Sequence, residues 1–262
     1  MGILNVTPDS FSDGGAYRSV EEAVARGLEM AAEGAAILDV GGESTRPGSM
    51  PVPADEEMRR VIPVIRGLAA KTKAVISVDT TKAAVASAAV AAGARIVNDT
   101  SALADDPEMA AAVRASGAAV VLMHRRGSSA TMQEAPHYDA LFDELLAELT
   151  GRIDVAEAAG IDPERILVDP GIGFGKRLCD NLALHRHLDR LRVLGRPIVF
   201  GPSRKSFIGS LTGAPPAERA FGTAAAVAAA VLRGAHVVRV HDVKEMREVV
   251  EVAYAIRGEA SW

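Results

Sequence analysis

The chain is poor in cysteine, has no excess of positive charge, and contains no long apolar run or low-complexity linker. Cys179 is the single cysteine among 262 residues, so no intrachain disulfide can form, and a reducing cytoplasm is the expected compartment. A lone thiol is more commonly structural than nucleophilic, and no His/Cys cluster suggests zinc. The formal net charge of −5 rules out a global basic field of the kind that nucleic acid or an anionic membrane attracts. Any anion site must therefore be built locally. The N-terminus lacks a basic stretch followed by an apolar one, which argues against a signal peptide. The most apolar segment, Ala224 to Leu232, is far too short to span a bilayer.

What is present is a composition that can bury a core, with 48% hydrophobic and 24% charged residues. No abrupt change of composition divides the chain, so residues 1–262 are expected to form one domain. Eight short apolar runs alternate with longer helical patterns: Ile3–Val6, Ile37–Val40, Val75–Val78, Ile96–Asn98, Val120–Met123, Ile166–Asp169, Ile198–Phe200 and Val237–Val240. Their unbroken apolar character suits parallel strands covered on both faces. Helical patterns cover Val20–Ala32, Ala54–Ala70, Lys82–Ala92, Tyr138–Ala159 and Glu218–Arg233, and Ser19 with Glu22 forms a capping box for the first. Glycine closes six helix-to-strand junctions, at Gly34, Gly93, Gly117, Gly160, Gly195 and Gly234, as helix C-termini favour.

The strand-to-helix side is different in character. Every strand runs into a polar segment: NVTPDSFSDGG, DVGGESTRPGS, SVDTTK, NDTSAL, LMHRRGSSATMQ, DPGIGFGK, FGPSRKSF and RVHDVK. Eight βα units with polar groups after all eight strands predict a single-domain (β/α)₈ TIM barrel with its site at the C-terminal face of the strands. A doubly wound sheet would not ordinarily decorate every strand. Asp, Asn, Ser and Thr also cap helices, and Asp9 or Asp105 could do no more than that. Asp39, Asp79, Asn98, His124, Asp169, Arg239 and His241, however, fall at strand ends, where burial without a ligand or partner would be costly.

In order and spacing, NVTPDSFSDGG, DVGGESTRPG, SVDT, LMH, DPGIGFGK, SRKSFIG and RVHDV resemble the dihydropteroate synthase family over essentially the whole chain. The resemblance implies a TIM-barrel transferase of folate biosynthesis, in which p-aminobenzoate displaces pyrophosphate from 6-hydroxymethyl-7,8-dihydropterin pyrophosphate to give 7,8-dihydropteroate. It also implies inhibition by sulfonamides, which mimic p-aminobenzoate, and a homodimer. The small-residue face Thr223–Ala230 is compatible with the dimer or with packing inside the barrel shell.

Site residues follow from the same resemblance. Asp169 would accept two parallel hydrogen bonds from the pterin edge, with Asp79 and Asn98 on the rest of the ring and Lys205 at the pterin carbonyl. A competing assignment makes Asp79 the cap of the helix beginning near Lys82. Arg239 and His241 alternate along the last strand and supply local cations for the pyrophosphate, with Asn5 offering an oxygen to Mg²⁺ held mainly by diphosphate and water. Phe11, Thr45, Arg46, Pro47 and Phe174 would surround p-aminobenzoate, and Ser203 with the following helix N-terminus would hold its carboxylate. Phe174 could equally be ordinary packing in a Gly-rich turn. Asp13 would meet the metal or Arg46 when the first two loops fold over the pterin and exclude water. DPGIGFGK lacks the Gly-Lys-Ser/Thr ending of a phosphate loop.

Departure of pyrophosphate leaves a methylene cation delocalised into the pterin, so positioning and electrostatics replace a covalent nucleophile. The chain departs from the family at Thr100 and Ala102, where relatives more often carry Val and Gly, and at Asp180, where His is common. Two rivals share a pterin pocket: a methyltetrahydrofolate-binding methyltransferase domain, disfavoured by SRKSFIG and the two long loops, and a non-catalytic pterin-binding protein.

Overall fold

The computed structural model describes residues 1–6, 19–44, 51–128 and 131–258. The apolar runs form eight strands: β1 (Gly2–Asn5), β2 (Ile37–Gly41), β3 (Val75–Asp79), β4 (Ile96–Asp99), β5 (Ala119–Met123), β6 (Ile166–Asp169), β7 (Val199–Phe200) and β8 (Val237–Val238). Strands β1 to β6 pair in chain order as one parallel sheet, and β7 pairs with β8. Single bridges from Gly2 to Val240 and from Val168 to Ile198 join the two sets at both edges. The Ile3 N–H donates to the Val240 carbonyl at 2.9 Å and the Val168 N–H to that of Pro197 at 3.0 Å, closing a parallel TIM barrel.

Helices α1 (Val20–Ala32), α2 (Ala54–Ala69), α3 (Ala83–Ala92), α4 (Met109–Ser116), α5 (Leu141–Ala158), α6 (Leu178–Arg186), α7 (Ser206–Thr212), α8 (Ala220–Leu232) and α9 (Val243–Arg257) surround the strands. The helix expected from Tyr138 begins three residues later, after Ala140, which is non-helical (φ −135°, ψ 80°) and donates its N–H to Glu144 Oε1 at 2.7 Å; the Tyr138 hydroxyl donates to the Gly175 carbonyl at 3.0 Å. Ser19 caps α1 by accepting from the Glu22 N–H at 3.2 Å. All six junction glycines adopt positive φ, from 62° at Gly195 to 124° at Gly93.

Two apolar cores result. The larger lies between strands and helices. In it α1 and α2 approach so closely that a Cβ on Gly27 would sit 2.7 Å from Leu68, and one on Gly67 would sit 2.7 Å from Val24. The smaller contains no helix residue: Ile96, Val121 and Val199 pack with Ile37, Ala119, Leu167 and Val237, the seven coming from six strands. It fills the lower barrel interior and stops below the polar strand ends. Among the described residues no helix is long and apolar enough to cross a membrane.

Candidate active site

Strand register sets the site. Asn5 lies opposite Gly41, Gly41 opposite Asp79, and Asp79 opposite Asn98, so four consecutive strands put these positions in one layer, three of them carrying polar side chains. Glycine at position 41 keeps that layer open, since a Cβ there would lie 3.4 Å from the Asp79 Cβ and 3.5 Å from Asn5 Oδ1. Asp39 sits two residues lower on β2, and Asp169 lies opposite Met123 on the far side.

Arg239 ties these levels together. Its Nε donates to Asp39 Oδ2 at 2.6 Å and its Nη2 to Asp79 Oδ2 at 2.7 Å, while Asn98 Nδ2 donates to the same Asp39 oxygen at 3.0 Å. Asp39 is fully buried, and its other oxygen has no partner. Asp79 does not cap the following helix. The Ala83 N–H is instead met at 2.8 Å by Asp106, reaching over from the next βα unit. Burial raises the Asp79 carboxyl pKa above its ordinary value, the nearby Arg239 cation opposing the shift and Asp39 adding to it.

Asp79, Asn98, Asp169, Lys205 and Arg239 line a single cleft together with Thr100, Met123, Ile172, Phe174 and Gly201. Asp169 accepts from the Gly171 N–H at 2.7 Å, and its pKa is also raised, mainly by burial. Burial likewise lowers the Lys205 ammonium pKa to about 8, with the Arg239 charge acting in the same direction. Its Nζ stands 4.1 Å from the centre of the Phe174 ring, a cation–π contact.

The Gly-rich loop after β6 is a shelf built from backbone. Gly171, Gly173 and Gly175 all take positive φ, and a Cβ on Gly171 would lie 2.0 Å from the His124 carbonyl oxygen. The Gly173 N–H donates to Asn181 Oδ1 at 2.7 Å, and the Gly173 carbonyl accepts from Gln133 at 2.8 Å. Asp180 faces away from the cleft and holds Arg177, accepting from its backbone N–H at 2.9 Å and its Nε at 2.8 Å. That departure from the family pattern is thus a helix-start contact.

After β7, Arg204 adopts a positive φ of 57°, its N–H held by the buried Thr223 hydroxyl at 3.0 Å and its Nε by Asp242 at 3.1 Å. Ser203 Oγ lies 3.0 Å from His241 Nδ1 and accepts from the His241 N–H at 3.2 Å. In this state only one of the expected pair carries a positive charge. Burial and the neighbouring Arg239 and Arg204 charges lower the His241 pKa to about 4, leaving a neutral imidazole, and Arg239 is already shared between two carboxylates.

Phe11, Asp13, Thr45, Arg46 and Pro47 lie outside the described residues. Asp39 was legible as a strand-end carboxylate but not as the group that orients both Asn98 and Arg239; only register reveals that. Met123 and Ile172 line the cleft as apolar walls, a role that no residue type signals on its own. Lys176, buried 3.0 Å from the strand-end residue His124, escaped notice because the two are 52 residues apart.

Comparison with known proteins adds a direct test. Residues 1–241 match the family described as pterin binding enzymes. The dihydropteroate synthase of Synechocystis is 46% identical over 98% of this chain and 89% of its own length. The solved Yersinia pestis dihydropteroate synthase, in complex with a sulfonamide drug, superimposes with a TM-score of 0.95 at 43% identity, covering 98% of this chain and 94% of that one. The Xanthomonas albilineans dihydropteroate synthase with 4-aminobenzoic acid gives 0.91 at 52% identity over 98% and 92%. The fold, the cleft and near-full-length identity agree, and the chain belongs to the dihydropteroate synthase family of pterin binding enzymes.

Proposed function

We propose that this chain condenses 6-hydroxymethyl-7,8-dihydropterin pyrophosphate with p-aminobenzoate, giving 7,8-dihydropteroate and pyrophosphate. The observation that carries this reading is the convergence of Asp79, Asn98, Asp169 and Lys205 on one cleft at the C-terminal end of a barrel of this family. Asp169 accepts the ring N–H and exocyclic amino group of the pterin, and Asn98, already oriented by Asp39, meets another edge. A buried carboxylate with a raised pKa gains most from such donors, since they replace the water it has lost. Lys205 binds the pterin carbonyl, and its contact with the Phe174 ring makes one wall against which the aromatic amine packs. Ser203 receives the p-aminobenzoate carboxylate, and its contact with His241 links the two anion positions.

Bond breaking to pyrophosphate leaves a cation on the exocyclic methylene, delocalised into the pterin. Asp79 and Asp169, which line the cleft, would stabilise it, while Arg239, His241 and Asn5 would meet the departing anion. The arylamine has a free lone pair at neutral pH, so no strong base is required. Among the described residues no three His, Cys, Asp or Glu side chains gather as a metal cage. The donor set suits Mg²⁺ carried in on the diphosphate, with Asn5 Oδ1 as one protein oxygen. Bound there, Mg²⁺ would neutralise charge on the leaving group. The first two βα loops, with Phe11, Asp13, Thr45, Arg46 and Pro47, complete the p-aminobenzoate side and exclude water.

The remaining parts of the reading are a cytoplasmic homodimer formed by residues 1–262 as one domain. Thr223, Ala226 and Ala230 of α8 pack inward, whereas Phe221 is 92% exposed, so a second copy would cover the outer face that carries Phe221. Sulfonamides would compete with p-aminobenzoate. Pyrophosphate release by purified protein with both substrates and Mg²⁺ tests the central claim. Release that requires both substrates is expected; none above background overturns the synthase reading, and pterin binding without release would indicate a non-catalytic protein.

A further inference from the structure

Lys176 takes part in none of the roles above, although its side chain is buried against the Gly-rich loop that carries Phe174. The residue is 3% exposed, and its Nζ stands 3.1 Å from the Phe174 carbonyl oxygen, 3.0 Å from His124 Nδ1 and 3.5 Å from the His124 carbonyl oxygen. When Lys176 is an ammonium it has donors and no acceptor, so His124 Nδ1 then accepts and the ring proton sits on Nε2. Nε2 lies 3.0 Å from Glu148 Oε2 without good hydrogen-bond alignment. Glu148 is gripped by Arg126, whose guanidinium lies 4.3 Å above the Tyr138 ring, and the Tyr138 hydroxyl donates to the Gly175 carbonyl at 3.0 Å. The circuit leaves the Gly-rich loop at Lys176 and returns to it one residue away.

We propose that Lys176 is a positioning residue for the second substrate: by clamping the Phe174 carbonyl it fixes the Phe174 ring against Lys205 and so sets the aromatic wall of the cleft. The inference rests on the synthase reading. Burial of the cation is expensive and lowers the Lys176 pKa to about 7, against the raising influence of Asp169, Glu148 and Asp180. Arg126 acts in the same direction as burial, and His124, its own pKa lowered, completes the charged surroundings. A methionine would fill the same volume without that cost. The donor is therefore what the position uses. Three carbonyls and amides of the loop are already met by Asn181, Gln133 and Tyr138, and Phe174 is left to Lys176.

A double-mutant cycle tests the route through Phe174. Steady-state pyrophosphate release and direct pterin binding are measured for wild type, Lys176→Met, Phe174→Leu and the double variant. Lys176→Met is expected to raise the p-aminobenzoate KM about tenfold, equivalent to about 1.4 kcal/mol, with the pterin Kd within about twofold. In the Phe174→Leu background the same change is expected to raise KM less than about twofold, the sign of a shared route. Equal increases in both backgrounds, equal effects on both substrates, or a lower thermal midpoint with both constants unchanged would overturn the proposal. Should Lys176→Met not fold, Glu148→Ala removes the outer member, whose side chain is 41% exposed, and a rise of about threefold is expected; an unchanged KM counts against the clamp. Wild type without pyrophosphate release would refute the synthase reading instead, and calorimetric p-aminobenzoate affinity would then replace KM across the same four proteins.

Discussion

Arg239→Met removes one cation from two buried carboxylates, and the structure allows its effect to be sized. Asp39 is fully buried and Asp79 nearly so, with the guanidinium nitrogens at 2.6 and 2.7 Å from their oxygens. At an effective dielectric constant of about 20, opposite charges about 4 Å apart attract by about 4 kcal/mol. The gross attraction of two such pairs is offset by the cost of desolvating Arg239. Breaking a buried pair by removing one partner typically costs about 3–5 kcal/mol. Unfolding free energy at pH 8 is therefore expected to fall by about 3–5 kcal/mol, a large share of the ~5–15 kcal/mol of an ordinary domain. The loss should also depend on pH. Without the cation, the folded-state pKa of Asp79 rises further above the unfolded value. The folded variant then binds protons more readily than its unfolded chain, and the deficit shrinks as pH falls. Each unit of upward shift that protonation relieves is worth about 1.4 kcal/mol, so a recovery of about 2 kcal/mol between pH 8 and pH 5 is expected. Urea unfolding of both proteins at pH 5, 6.5 and 8 measures it, and Arg239→Met with Asp39→Asn should recover part of the loss. A deficit below about 1 kcal/mol at pH 8, or one equal at pH 5 and pH 8, would refute the description of this network as a buried, mutually dependent set.

Other predictions are more local. Asp169→Asn should weaken pterin binding by roughly tenfold or more, as expected for a lost charge-assisted pair, whereas Ser203→Ala should mainly raise the p-aminobenzoate KM; calorimetry with each ligand would expose a reversed pattern. His241 should stay neutral from pH 8 down to pH 5 and charge near pH 4; because its folded pKa lies below the unfolded one, it withdraws stability as pH falls from about 6.5 toward 4. An NMR titration of its ring with a midpoint near 6.5 would contradict that environment. Ala102 is buried at a φ of 51°, so Ala102→Gly should raise the urea midpoint by the equivalent of about 0.5–1 kcal/mol; a lower midpoint would mean that the methyl's packing outweighs its strain. Phe221→Asp should shift a dimer toward monomer by sedimentation while leaving the thermal midpoint of the monomer almost unchanged, since the side chain contributes little to the protomer core.

Sequence pattern reached the barrel because parallel strands sheathed by helices must be apolar on both faces, and the run Val120–Met123 can hardly be anything else. It overshot at the weakest pairing. The last strand was expected over Val237–Val240, but β8 is Val237–Val238, and Val240 makes only the single bridge to Gly2 that closes the cylinder. Short helices such as α4 and α7 escaped because about two turns give too few repeats to establish a 3.6-residue period. At the site, Asp169 and Lys205 were legible through their motifs. The state of His241 was not, since its charge depends on Arg239 and Arg204, which face it only after folding. The Asp39 and Lys176 contacts span 200 and 52 residues, distances over which residue spacing carries no information.

The lower barrel interior is a small apolar plug that shares no residue with the larger core outside the strands. Above it, a layer of ionic and amide groups replaces the side-chain stack that ordinarily fills such a barrel. Folding stability thus resides mainly in the outer shell, and chemistry resides in the upper lumen. For selection this is a form of modularity. Substitutions that tune the cleft, including ones that exclude an inhibitor, load a part of the molecule whose losses can be offset by distant changes among the helices, and the two kinds of change should combine almost additively.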